Sequence, residues 1–175
     1  MSPTNKKGMT LMEMMVVVII IVGLVLAAYP TYLSSLEKAR AQEAVQLISH
    51  LAAAQDKFMA ECYNMNSSTG ECYYSADFTK LPVEIAGPNK EKEGNITVAA
   101  NQITTPGYIY TMSGSGSTLA IVAESRRTSS YNYKITANVA GSEILCNVVG
   151  SDKGGKKICS AIGKATSAEG VYKID

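Results

Sequence analysis

Residues 6–30 read KKGMTLMEMMVVVIIIVGLVLAAYP, and the character of the chain turns on this stretch. Two lysines and a glycine come first, an acid follows at Glu13, and Met14 to Ala28 is apolar throughout. No charge recurs until Glu37, so Met14–Leu36 is an uncharged run of 23 residues. A helix needs about 20 such residues to cross the hydrocarbon core of a bilayer. It is also the form that satisfies its own backbone hydrogen bonds in lipid. Gly23 is the one backbone weak point before Pro30. Lys6 and Lys7 put the N-terminus on the cytoplasmic side by the positive-inside rule.

The rest of the chain is of another kind. Its 175 residues leave room for one compact domain plus an appendage. Sixteen basic against 15 acidic residues give a net charge of +1, which supplies no overall drive toward nucleic acid or acidic substrates. The 46% apolar share is unevenly spread, and the part beyond residue 37 is rich in Gly, Ser, Thr, Asn and Tyr. Disordered and collagen-like compositions are excluded.

Three readings compete for the apolar run: a single-pass anchor, a secretory signal with Val25-Leu26-Ala27 at its cleavage site, and one built on Glu13. A carboxylate deep in a bilayer costs on the order of 2.5–3.5 kcal/mol on insertion scales, and an acid there marks a functional site whose partner must be named. An anchor or signal sequence gains nothing from it.

Lys6-Lys7-Gly8-Met9-Thr10-Leu11-Met12-Glu13 followed by an apolar run resembles the class III leader of type IV pilins and type II secretion pseudopilins. The resemblance implies that a prepilin peptidase cuts between Gly8 and Met9 and N-methylates Met9. Glu13 then takes the family's acidic fifth place, and Pro30 the place of its helix-kinking proline. Met9 and Met12 depart from the usual Phe and Ile or Leu but stay apolar. The resemblance also names Glu13's partner, the free α-amine of Met9 in a neighbouring subunit. In low dielectric that attraction grows while an unpaired charge becomes costlier, so the pair would set the register of assembly. Pairing within one helix is the competing arrangement. Beyond about residue 60 the resemblance is one of architecture alone.

The expected fold is α+β. A leader at 1–8 precedes a transmembrane helix at 9–36 and an amphipathic helix at 37–61. A connecting region at 62–94 then leads to an antiparallel sheet with a C-terminal disulfide-bounded loop at 95–175. The helix stripe is read as Leu33, Leu36, Arg40, Leu47, Leu51, Ala54 and Phe58, widened by Ile48, Ala52 and Met59. Glu37, Lys38, Gln42, Glu43, Gln46, Asp56 and Lys57 fall on the opposite face. Pro30 is expected to weaken or bend the helix. Strands are expected at 95–100, 108–112, 118–125, 133–139 and 143–149, with spacers short enough for a meander.

Four cysteines allow three connectivities. The local pairs Cys62–Cys72 and Cys146–Cys159 are favoured because each closes a short loop bounded by turn residues, and each bond would stabilise by roughly 2–4 kcal/mol. Their spacing fits neither a zinc ribbon nor a redox C-x-x-C motif, and His50 is the one histidine, read as a surface residue. Gly150-Ser151-Asp152-Lys153-Gly154-Gly155-Lys156-Lys157 has a Gly-x4-Gly-Lys frame. Lys157 replaces the magnesium-holding Ser or Thr, however, and no strong helix is expected after it. The segment reads as a solvated basic loop whose Lys153, Lys156 and Lys157 offer a surface for DNA, a host surface or a neighbouring subunit.

Two glycosylation-type triplets, at Asn66 and Asn95, are expected to be unmodified. Residues 37–93 carry net −3 and 126–175 net +4, a split that could bias head-to-tail docking. No catalytic set or cofactor is expected. The expected function is structural: a prepilin of the inner membrane that polymerises with itself, through the pilus assembly machinery, into an extracellular filament for adhesion, motility or DNA uptake. A type II secretion pseudopilin is the alternative, and a membrane-anchored or secreted binding domain the second.

Overall fold

A computed structural model describes residues 10–65, 67–68, 70–81, 96–114, 118–126 and 130–175. Helix α1 runs unbroken from Leu11 to Ala60, with Pro30 inside it. Proline has no N–H to donate to the carbonyl four residues back, yet the helix continues through it. The chain divides into two units, 1–37 and 38–175.

In the second unit, the remainder of α1 covers one face of an eight-stranded antiparallel sheet. The strands are β1 (Thr97–Val98), β2 (Gln102–Thr104), β3 (Tyr108–Ser113), β4 (Ala120–Ser125), β5 (Tyr133–Asn138), β6 (Glu143–Val148), β7 (Lys164–Ala165) and β8 (Val171–Ile174). Their spatial order is β1-β2-β3-β4-β5-β6-β8-β7. The first six form an antiparallel meander, the five expected strands with β2 added. After β6 the chain makes helix α2 (Lys153–Ile162), then the β7–β8 hairpin, and β8 returns beside β6 with Cys146 opposite Tyr172.

Alternation decides which face is buried. Tyr108, Tyr110 and Met112 of β3 point inward with Ile121 and Ala123 of β4 and Tyr133, Ile135 and Ala137 of β5. They meet Ala41, Ala44, Ile48, Leu51 and Phe58 of α1 in one apolar cluster. The other face carries polar pairs, including Lys134–Glu124 at 2.5 Å and Lys173–Glu143 at 3.1 Å.

Several expectations need correction. The buried stripe of α1 is rotated from the one read in sequence: Ala41, Ala44 and Gln55 are fully buried, whereas Leu33, Leu36 and Leu47 are half-buried and Met59 is exposed. Glu37, expected on the opposite face, is 1% exposed. The sequence stripe followed the largest side chains, but small alanines are what let a helix backbone approach a sheet closely. Strand β2 and both C-terminal strands were not expected; they are short and gain their stability from pairing. The disulfide-bounded loop contains α2, so Lys153, Lys156 and Lys157 lie on a helix and not in a loop. Two glycines in its first turn cost about 1 kcal/mol each against alanine, and Asp152 offsets them. Its carboxylate caps the helix, accepting from Gly155 N–H at 2.6 Å and Gly154 N–H at 3.3 Å. Asn66 and Asn95 lie outside the described residues.

Candidate functional site

The first unit has no core of its own. Every residue from Thr10 to Tyr32 is exposed. Fourteen large apolar side chains between Leu11 and Leu26 are each at least 40% exposed. Leaving them in water would cost on the order of 20 kcal/mol, at about 1.5 kcal/mol per side chain. Unfolding would not relieve that cost, since the same side chains stay wet in the open chain; an apolar covering, whether lipid or protein, would. The helix is long and apolar enough to cross a membrane, as expected for an anchored chain.

At its head, Thr10 lies just outside the helix and Glu13 three residues on. The Glu13 N–H donates to Thr10 Oγ1 at 3.3 Å, and the Met14 N–H to the Thr10 carbonyl at 3.2 Å. This is the T-x-x-E spacing of a capping box, in which a threonine hydroxyl satisfies a donor the helix leaves open. The spacing Thr10-Leu11-Met12-Glu13 is legible in the sequence, though it was not among the expected features. Glu13 therefore sits in the first turn, where the helix dipole favours a carboxylate by about 0.3–1 kcal/mol. That is less than the cost an acid would meet if it lay deep in a bilayer without a partner. Gly8 and Met9 lie outside the described residues. His50 is exposed.

The cysteines pair locally, with Cα–Cα separations of 5.2 Å for Cys62–Cys72 and 5.5 Å for Cys146–Cys159. The first bond closes the end of α1. Cys62 N–H donates to the Met59 carbonyl at 3.0 Å and Tyr63 N–H to Phe58 at 3.3 Å, while Cys62 takes a left-handed φ of 54°. That is a Schellman stop with cysteine at the position glycine usually fills. Its customary apolar contact is present: the Phe58 and Tyr63 rings lie 5.3 Å apart. The second bond ties α2 to β6, and both of its cysteines are fully buried.

Two further residues escaped sequence reasoning. Gln55, fully buried, donates from Nε2 to the Ser75 carbonyl at 2.6 Å and to Met112 Sδ at 3.2 Å, and accepts from Ser75 N–H at 3.1 Å. It imitates a strand's backbone and holds the segment after Cys72 against α1. Asp152 also accepts from Asn132 N–H at 2.7 Å. This bond, with those from Gly155 and Gly154, holds its carboxyl below the usual range. The N–H groups that would cradle a phosphate are thus occupied by the protein's own carboxylate. The two glycines have a packing reason instead: a Cβ on Gly155 would stand 2.6 Å from the Asn132 carbonyl oxygen. Lys153, Lys156 and Lys157 are exposed. The first two border a cavity of about 490 Å³ with Ser151, Asp152 and Glu169. Among the described residues, no group of three or more His, Cys, Asp or Glu side chains could hold a metal.

No protein-family model, curated protein or solved structure matches the chain.

Proposed function

We propose that the chain is a type IV prepilin, a structural subunit and not an enzyme, processed between Gly8 and Met9 and assembled through α1 into a filament. The observation that carries this reading is an apolar helical surface, uncovered from Leu11 to Leu26, with one acid at its head. A bilayer covers the apolar residues before assembly, and the helices of other subunits cover them afterwards. Contacts of this heterologous, non-closing kind build open filaments. Glu13 supplies the anion, and cleavage supplies the cation as the α-amine of Met9. The antiparallel body, sealed by Cys146–Cys159, would form the filament exterior, with the lysines of α2 presented to an anionic partner. The disulfide-tied C-terminal region favours a pilin over a secretion pseudopilin.

Mass spectrometry of the mature N-terminus tests the proposal. A methylated terminus at Met9 is expected. A terminus at Ala28 or Tyr29 would establish secretion, and an intact Met1 a plain anchor; either overturns the reading.

A further inference from the structure

The two disulfides differ in access. Cys146 on β6 and Cys159 on α2 are each 0% exposed, part of the core between that helix and the sheet. Cys62 and Cys72 are half-buried at the surface, among the exposed Tyr63, Met65 and Tyr73. Each of these cysteines follows an exposed glutamate, in Glu61-Cys62-Tyr63 and Glu71-Cys72-Tyr73. Lys57 stands 3.8 Å from Glu61 and offsets part of that charge.

Beyond this bond the fold is held by other means. Gln55 grips both backbone groups of Ser75, and Phe78 and Leu81 are buried in the core. On the near side α1 is stopped by its own hydrogen bonds. None of these contacts runs through the Cys62–Cys72 bond.

We propose that Cys62–Cys72 is a thiol-exchange site, opened in the folded protein by external thiols of neutral or cationic character, while Cys146–Cys159 stays closed. Exchange requires a thiolate to reach a disulfide sulfur, so access decides which bond reacts. The external thiolate attacks one sulfur, the Cys62–Cys72 bond breaks, and the other cysteine leaves as a thiolate that takes a proton. A second external thiolate resolves the mixed disulfide. The external thiol leaves oxidised as its own disulfide, and Cys62 and Cys72 are both reduced. Glu61 and Glu71 repel an anionic attacker and attract a cationic one. The inference does not depend on the filament reading.

The test treats the full-length protein in detergent, under native conditions, with cysteamine or with 2-mercaptoethanesulfonate, then alkylates and maps the label. Label is expected on Cys62 and Cys72 with Cys146 and Cys159 protected. Per unit of thiolate, cysteamine should react at least about threefold faster at low ionic strength, with the ratio falling toward one at about 1 M salt. The double variant Glu61→Gln, Glu71→Gln should lose most of that preference, which separates the protein's charge from intrinsic differences between the thiols. Hydrogen exchange should show the Tyr73 amide, bonded to the Asn64 carbonyl at 3.1 Å, losing protection on reduction while Ser75 keeps it. Equal or earlier labelling of Cys146 and Cys159 overturns the site. A preference that survives in the double variant overturns the role of the glutamates, and loss of protection at Ser75 overturns local opening.

Discussion

Replacing Gln55 by alanine probes the joint on which the segment after Cys72 depends. The side chain is fully buried and satisfies both the N–H and the carbonyl of Ser75, itself 3% exposed. Truncation leaves two buried backbone groups without partners, at about 1–3 kcal/mol each, and opens a cavity beside Met112. A loss of about 3–5 kcal/mol is therefore expected, which at roughly 2–4 °C per kcal/mol lowers the melting temperature by about 10 °C. Gln55→Glu sharpens the test. Its carboxylate can still accept from Ser75 N–H, but its second oxygen faces the Ser75 carbonyl where Nε2 donated at 2.6 Å. Protonation restores a donor there. The folded pKa is thus raised, so the variant's stability is fully present below the unfolded value of about 4.3 and is lost as pH rises through the folded one. Denaturant titration in detergent, followed by near-ultraviolet dichroism, reads mainly the body, since eight of the ten tyrosines lie beyond residue 37 and Tyr29 and Tyr32 are exposed on α1. The Gln55→Glu deficit should shrink at about pH 4 relative to neutral pH, while that of Gln55→Ala stays constant. A Gln55→Ala loss under about 1 kcal/mol, or a Gln55→Glu deficit independent of pH, would refute the reasoning.

Asp152→Ala should cost about 1–3 kcal/mol, because it removes the cap of α2 and the bond to Asn132. The folded pKa of Asp152 is depressed, so its contribution is complete above the unfolded value of about 3.9 and is lost as pH falls through the folded one; the denaturation midpoints of wild type and variant should converge in acid. Gly155→Ala should destabilise by about 1–3 kcal/mol despite alanine's better helix propensity, since its Cβ would meet the Asn132 carbonyl; an unchanged or raised melting temperature would show that α2 shifts freely. Glu13→Ala should leave the mature N-terminus unchanged by mass spectrometry and abolish filaments seen by electron microscopy, and normal fibres would remove Glu13 from assembly. Gly8→Val should leave the chain uncut, and a normal mature N-terminus would remove the peptidase from the account.

The long helix, the meander and the local disulfides were legible because each rests on short-range pattern. An uncharged run of 23 residues has few fates, strand alternation has a period of two, and cysteines ten and thirteen residues apart lie within easy reach of each other. The T-x-x-E cap at Thr10 and the Val171–Ile174 alternation after Gly170 are equally local signals, although neither was among the expected features. Other features were not local. Whether α1 buries its leucines or its alanines depends on how closely the sheet can approach. Gln55 has a role because Ser75, 20 residues away, arrives with two unpaired backbone groups. Helix α2 forms against its own propensity, since Asp152 caps it and the buried Ile158 and Cys159 hold it to the sheet. Sequence alone determined that Met14–Ala28 had to be shielded from water, because a continuous run of aliphatic side chains is too costly to leave wet. The tertiary structure alone decided which polar groups are sealed inside and which disulfide faces the solvent, because burial is set by neighbours distant in the chain.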